Sequence, residues 1–289
     1  MVLDVKQYEN PHSSANPGGD YKAAYRLFEL SDSIPEFAPN YSGSMRKLHK
    51  LYGSILDSAS TTNAFTRSIL ADSRSNFNSA RLSGMGGIPN DWYLVSAIPG
   101  NWYDLVKQRS YLIPMTIKLD DEVSGTGGFI LMDDDERVSW SINTGGKQEH
   151  KMADGTSIKE ITVDVMVVEF QRSWFNFELF SSPGWEIQGL KPNYFSTGSL
   201  SQNGGTMPLV IKSMLVGANF AMTGQFADRD LNLLQQNSEE VSIGPFAISG
   251  AGKAATISGN SATVKIQSNV TQVIGFTSQL VPQAPAVNS

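Results

Sequence analysis

The C-terminal stretch VSIGPFAISGAGKAATISGNSATVKIQSNVTQVIGFTSQL, residues 241–280, consists of short apolar runs separated by Gly, Ser, Thr and Asn. From Val241 to the last residue, Ser289, the chain contains no carboxylate, and its only charged side chains are those of Lys253 and Lys265. A solvated protein surface normally carries many charges of both signs. We therefore predict that these segments are strands covered by the rest of the fold, by another subunit or by a membrane.

Residues 241–267 alternate apolar side chains with Ser, Thr, Gly and Ala. Strands of this kind are an aggregation hazard when they stay exposed, so burial between subunits predicts a homo-oligomer. The same alternation is typical of hairpins that line a membrane barrel, which predicts a pore-forming toxin that contacts a membrane. The candidate interface or insertion positions are Ile243, Phe246, Ile248, Ile257, Val264 and Ile266.

Strand-like runs continue upstream as far as Tyr111, separated by turn residues such as Asp-Gly, Gly-Gly and Pro-Gly. Many short strands at this spacing predict an antiparallel β-sandwich or barrel-like domain over residues 109–289. The predicted strands cover residues 111–119, 128–132, 137–142, 160–170, 174–180, 210–220, 241–248, 255–257, 262–267 and 272–281. A short helix is predicted between strands at residues 228–236.

The N-terminal third has a different character. Residues 1–42 form an irregular leader rich in Pro and Gly, with a short helix predicted over Tyr21–Leu30 from apolar residues at i, i+3, i+4 and i+7. Residues 43–108 contain a helical region followed by an aromatic loop. Serines and threonines around Ser60 favour turns, so the helical region is either one long helix or a helical hairpin. The whole chain is predicted to be α+β.

The aromatic loop repeats one local pattern. Trp92 and Tyr93 follow a proline and turn residues, and Trp102 and Tyr103 do the same ten residues later. An aromatic pair of this kind stacks on the flat apolar face of a sugar, which predicts a carbohydrate-binding protein. The alternative is that these rings clamp the loop against the core.

Composition excludes several classes of site. The chain has no cysteine, so disulfides, zinc–thiolate sites and a cysteine nucleophile are excluded. Its formal net charge of −6 argues against a nucleic-acid partner, which requires a basic face. His12, His49 and His150 show no metal-binding spacing, and no phosphate-binding loop or GxSxG elbow occurs. We therefore expect no cofactor and no enzymatic activity.

Two acidic turns are the only candidates for a metal site. Hard oxygen ligands at neighbouring strand ends suit Ca²⁺, although consecutive acidic residues at turns are usually just solvated. The calcium candidates are Asp120, Asp121, Asp133, Asp134 and Asp135.

The N-terminus lacks the layout of a signal peptide, and no window contains 18 consecutive apolar residues. A cytoplasmic location and release by a non-classical route both stay open. The leading functional prediction is a non-enzymatic, self-assembling structural protein whose uncharged C-terminal strands lie in subunit contacts. A pore-forming toxin and a carbohydrate-binding protein are the alternatives.

Overall fold

A computed structural model describes ten parts of the chain, residues 1–35, 46–84, 86–119, 141–144, 148–200, 203–236, 240–244, 246–250, 255–260 and 263–286. The helices are α1 (Tyr21–Ser31), α2 (Leu48–Ser58), α3 (Ala64–Ser79), α4 (Trp102–Lys107), α5 (Glu178–Ser181) and α6 (Asp228–Gln236), with a short 3₁₀ helix at Val5–Tyr8. None of the helices in these parts of the chain is long and apolar enough to cross a membrane.

The strands pair antiparallel, and together with the helices they confirm a mixed α+β fold. No sheet closes on itself within the described residues. The strands are β1 (Ala59–Thr61), β2 (Arg81–Leu82), β3 (Trp92–Tyr93), β4 (Ser96–Ile98), β5 (Ile113–Lys118), β6 (Ser141–Thr144), β7 (Gln148–Lys151), β8 (Ser157–Gln171), β9 (Trp185–Ile187), β10 (Leu209–Gln225), β11 (Val241–Ile243), β12 (Phe246–Ser249), β13 (Thr256–Asn260), β14 (Thr263–Ser268) and β15 (Gln272–Leu280).

The chain divides into two compact units, each assembled from segments that are distant in sequence. Unit 1 consists of Met1–Lys6, Tyr103–Val167 and Leu215–Gly275. Unit 2 consists of Gln7–Trp102, Val168–Met214 and Phe276–Ser289. The predicted boundaries near residues 42 and 108 follow composition along the chain, whereas the units follow contacts in space.

Unit 1 contains two sheets that share one apolar core. In the first, β5, β8, β10, β14 and β13 are neighbours in that order, with Ile113 opposite Val165 and Met222 opposite Ile266. In the second, the order is β12, β11, β6 and β7. Residues of β8, β10 and β14 pack with residues of β6, β11 and β12, and α6 adds Leu234. Burying these alternate apolar side chains is the main driving force for this arrangement.

Two helices of unit 2, α1 and α3, begin where the sequence provides side-chain caps. The carboxylate of Asp20 accepts from the backbone N–H of Lys22 at the start of α1, and Asn63 accepts from the N–H groups of Phe65 and Thr66 at the start of α3. Such caps satisfy donors that have no partner within the helix. The chain leaves helical geometry at Ala59 to form β1, so the helical region is a pair of helices rather than one.

An aromatic cluster fills the interior of unit 2. The ring of Tyr52 lies 4.7 Å from that of Phe175, Tyr93 stacks on Phe77 at 4.5 Å, and Trp174 lies 5.0 Å from Tyr93. These distances are within the range in which aromatic pairs attract beyond simple burial. The phenolic oxygen of Tyr52 also accepts from the backbone N–H of Asn176 at 3.1 Å.

The strand predicted over residues 174–180 is wrong. These residues form no strand, and α5 begins at Glu178, where the side-chain carbonyl of Asn176 accepts from the backbone N–H of Glu178. The aromatic residues in this segment are explained by the cluster and not by a β-pattern. The run 241–248 is also divided, because Gly244 adopts a φ of 55° between β11 and β12, which suits a turn and not a strand.

Candidate functional site

The six C-terminal positions predicted to lie in an interface or membrane lie in or against the core of unit 1. The buried members of the set are Ile243, Phe246, Ile248, Val264 and Ile266. Ile257 is partly buried and packs against the same core. The chain's own strands therefore cover these side chains. That accounts for the lack of charge at these six positions without a second subunit or a bilayer.

The rings predicted to stack on a sugar are largely enclosed. Trp92 is 1% exposed and meets Tyr25 edge-on at 5.6 Å, while Trp102 is 0% exposed and lies 5.3 Å from Tyr8. Tyr93 is buried, and its face is occupied by Phe77. Tyr103, in unit 1, is half-buried. This packing is what the alternative interpretation, a loop clamped against the core, describes.

The calcium candidates Asp120, Asp121, Asp133, Asp134 and Asp135 lie outside the described residues. Within the described parts of the chain, no three His, Asp or Glu side chains come together in a way that would hold a metal ion.

One histidine and one carboxylate form a close pair in unit 2. Nδ1 of His49 lies 2.8 Å from Oδ2 of Asp32, and the backbone N–H of His49 donates to Oδ1 at 3.0 Å. Phe28 and Tyr93 lie 5.1 Å and 5.9 Å from the imidazole ring. Both polar residues are buried, so the pair braces the end of α1 against the start of α2.

The outer edge of β15 is covered by Met1, Val2 and Leu3 as far as Val273 and is open beyond that residue within the described structure. Within the described residues, β10 is the only strand that pairs with β15, and a single bridge joins Gln272 to Val2. From Phe276 onward the strand belongs to unit 2, and its residues 276–279 are exposed, with Phe276 at 41%. The strand contains neither a charged residue nor a proline.

Two other edge strands in the described chain, β5 and β7, carry the usual protection against edge-to-edge pairing. Pro114 and Lys118 lie in β5, and three of the four residues of β7 are ionisable. Proline and charge on an edge strand discourage pairing with another chain. The outer edge of β15 lacks both devices.

A second feature of unit 2 is a pocket of about 190 Å³ beside Arg172, just past the end of β8. Its wall contains three aromatic rings, those of Phe170, Phe175 and Phe177. Polar groups reach it from Arg172, from Lys212 on β10 and from Gln279 on β15. Among the described residues, no acidic side chain lines this pocket.

Arg172 is an arginine without a carboxylate partner among the described residues. One Nη donates to the backbone carbonyl of Ser31 at 2.8 Å, and the guanidinium carbon lies 5.6 Å from the centre of the Phe170 ring. Nε is buried and has no hydrogen-bond partner within the described structure. Burial lowers the pKa of Arg172 to about 10, an effect that the carboxylate of Asp32 partly offsets. The guanidinium therefore holds a poorly compensated positive charge.

Comparisons with protein-family models, with curated proteins and with solved structures gave no match to this chain. Function is therefore argued from the residues of the chain itself.

Sequence reasoning missed both the open edge and the pocket. Arg172 lies in the run FQRSWFNF, residues 170–177, where a single cation among aromatic residues was an available signal. Lys212 and Gln279 carried no signal, because they lie on other strands and join Arg172 only after β10 and β15 pair. The exposure of Phe276 also had no signal in the sequence, because it depends on β15 having no further strand of the described chain beside it.

Proposed function

We propose that the protein is a non-enzymatic protein that associates with copies of itself through the outer edge of β15. The observation that carries the proposal is an open edge without charge or proline, with an exposed phenylalanine at position 276. Natural edge strands are normally protected against pairing with another chain. We therefore infer that an edge without this protection serves as a pairing surface.

The proposed contact pairs β15 of one copy with β15 of the next. An antiparallel pair of identical strands is related by a two-fold axis, so both copies use the same surface. Backbone N–H and C=O groups on the outer edge then find partners in the other chain. The two copies of Phe276 add apolar area near this contact.

The proposed interface on β15 differs from the one predicted from the sequence, which consisted of six positions from Ile243 to Ile266. Those side chains are covered within unit 1, whereas the run of four consecutive exposed residues on β15 begins at residue 276. A contact through one self-complementary edge closes at the dimer, so a tube or sheath would require a further surface. We also propose that unit 1, with two sheets around one core, is a β-sandwich.

The test is the mass of the purified protein in solution, measured by light scattering after size exclusion. We expect a mass of about twice 31.4 kDa for the wild type at high concentration. The variant Phe276→Lys should shift the mass to that of the monomer, because lysines from two copies would face each other across the axis. Circular dichroism of this variant should match the wild type, since the side chain is exposed.

The matched control is Thr116→Lys, which adds the same charge at an exposed position of β5. It should leave the mass unchanged. A wild type that stays monomeric at every concentration would refute the proposal. Equal effects of the two lysine substitutions would refute the assignment to β15.

A further inference from the structure

The pocket beside Arg172 has a chemistry of its own, although one of its lining residues, Gln279, lies on β15. We propose that it binds a small carboxylate that carries one flat apolar group. The lining residues that carry this inference are Arg172, Lys212, Gln279, Phe170, Phe175 and Phe177, all of them in unit 2.

The preference for an anion follows from the charges around the pocket. The nearest acidic influence on Arg172 is Asp32, but both oxygens of that carboxylate are engaged by His49. Lys212, exposed on β10, adds a second positive charge. A largely buried cation without a carboxylate partner is costly, and an anion held between Arg172 and Lys212 would offset that cost.

The flat apolar group follows from the aromatic wall. Phe170, Phe175 and Phe177 line the pocket, and aromatic rings attract a further ring in offset-stacked or edge-on geometry. Pockets for drug-sized ligands are roughly 300–1,000 Å³, so a cavity of about 190 Å³ has room for about one ring and its substituent.

The number of donors favours a carboxylate over a phosphate. Phosphate sites commonly use backbone N–H groups at a helix N-terminus or in a turn in addition to side chains. Here the donors are three side chains, those of Arg172, Lys212 and Gln279. Together they match the two oxygens of a carboxylate.

The experiment uses benzoate as the probe, with binding measured by calorimetry on the full chain. Benzamide keeps the ring and removes the charge, and inorganic phosphate keeps a charge and removes the ring. We expect saturable binding of benzoate, with both other probes weaker by about tenfold or more. Ligand-observed NMR should show the ring protons of benzoate in contact with the protein.

The decisive variant is Lys212→Glu, which reverses one exposed charge of the pocket. We expect it to weaken benzoate binding by about fivefold or more, because it places a carboxylate beside the anion. The control is Lys191→Glu, which reverses an exposed lysine of unit 2 that does not line the pocket and should have no effect. Arg172→Gln should abolish binding, with a thermal unfolding curve recorded to check that it folds.

Three results would overturn the proposal. These are no saturable binding of benzoate, equal binding of benzamide or phosphate, and equal weakening by the two glutamate substitutions. The decisive variant changes a residue of β10 and not of β15, so its effect on benzoate binding is distinguishable from an effect on the pairing of β15.

Discussion

The side chain of Gln272 forms two hydrogen bonds with the backbone of Ala247. Its Oε1 accepts from the Ala247 N–H at 2.7 Å, and its Nε2 donates to the Ala247 carbonyl at 2.9 Å. Gln272 is 0% exposed and Ala247 is also buried. A side-chain amide thus pairs with the edge of β12 as a neighbouring strand would. This closes an edge that would otherwise leave two buried backbone groups without partners.

Replacing Gln272 by leucine should destabilise the protein strongly. The variant keeps a side chain of similar size but removes both partners of Ala247, at about 1–3 kcal/mol for each buried group left unsatisfied. We expect urea unfolding to show a loss of about 2–5 kcal/mol. Gln267→Leu, at an exposed position of β14, is the control and should change stability little. Equal effects of the two substitutions would contradict this role.

Asp230 organises a turn of unit 1 from within α6. Its Oδ2 accepts from the hydroxyl of Thr156 at 2.6 Å and from the N–H of Ala153 at 2.9 Å, and Arg229 donates to Oδ1. Asp230 is 0% exposed. Burial alone would raise the pKa of this carboxyl, but the hydrogen bonds from Thr156, Ala153 and Arg229 together hold the pKa below its usual value of 3.8.

A lowered pKa makes part of the stability depend on pH in a defined direction. Because the folded protein binds the Asp230 proton less tightly than the unfolded chain, the contribution is complete above pH 3.8 and declines as the pH falls below that value. We expect Asp230→Asn to lower the melting temperature at neutral pH and to flatten its decline in acid. Asp228→Asn, at an exposed position in the same helix, should retain the wild-type profile. If the melting temperatures of the wild type and of Asp230→Asn fell in parallel as the pH is lowered, Asp230 would not be the source of the pH dependence.

The Asp32–His49 pair should show strong coupling in a double-mutant cycle. Asp32→Ala removes the acceptor for both the ring and the backbone N–H of His49, and His49→Phe keeps a ring of similar shape. We expect a coupling free energy of about 1–3 kcal/mol between the two changes. The free energies of unfolding of the two single variants and the double variant give this value. Simple additivity would show that the two side chains are energetically independent.

The burial of four tryptophans predicts the response to a polar quencher. Trp92, Trp102, Trp174 and Trp185 are fully buried, and Trp140 lies outside the described residues. In a Trp140→Phe variant, we expect iodide to quench the fluorescence weakly in the folded state and strongly in urea. Strong quenching in the folded state would show that these rings reach solvent, as the carbohydrate-binding alternative requires.

Local pattern was sufficient to predict several elements. The helix predicted over 228–236 is α6 with the same bounds, and the helix over 21–30 is α1 with one further residue. The strands predicted near β5, β8, β10 and β15 are also present. These elements are long or strongly periodic, so the side chains that must be buried recur at the spacing that the backbone imposes.

Local pattern was insufficient where burial comes from distant partners. The aromatic run around Trp174 resembles a strand in composition, yet its rings are held by Tyr52, Tyr93 and Phe180, which lie far away or in another element. The short strands β1 to β4 and β9 were missed for a related reason. Strands of two or three residues exist only because a partner strand supplies their hydrogen bonds.

The sequence by itself determined that the chain is α+β, that it lacks cysteine chemistry, and that the segments after residue 241 contain strands with buried apolar side chains. It also located the main helices, because capping residues and apolar spacing act over a few neighbouring positions. Only the tertiary structure decided what covers those strands and which surfaces stay free. The partners of Ile243 and Ile266 are other strands of the same chain, and the order of strands in a sheet determines which edge, here that of β15, is left open. Arg172, Lys212 and Gln279 come together for the same reason, since pairing between distant strands has no signature in any short stretch of sequence.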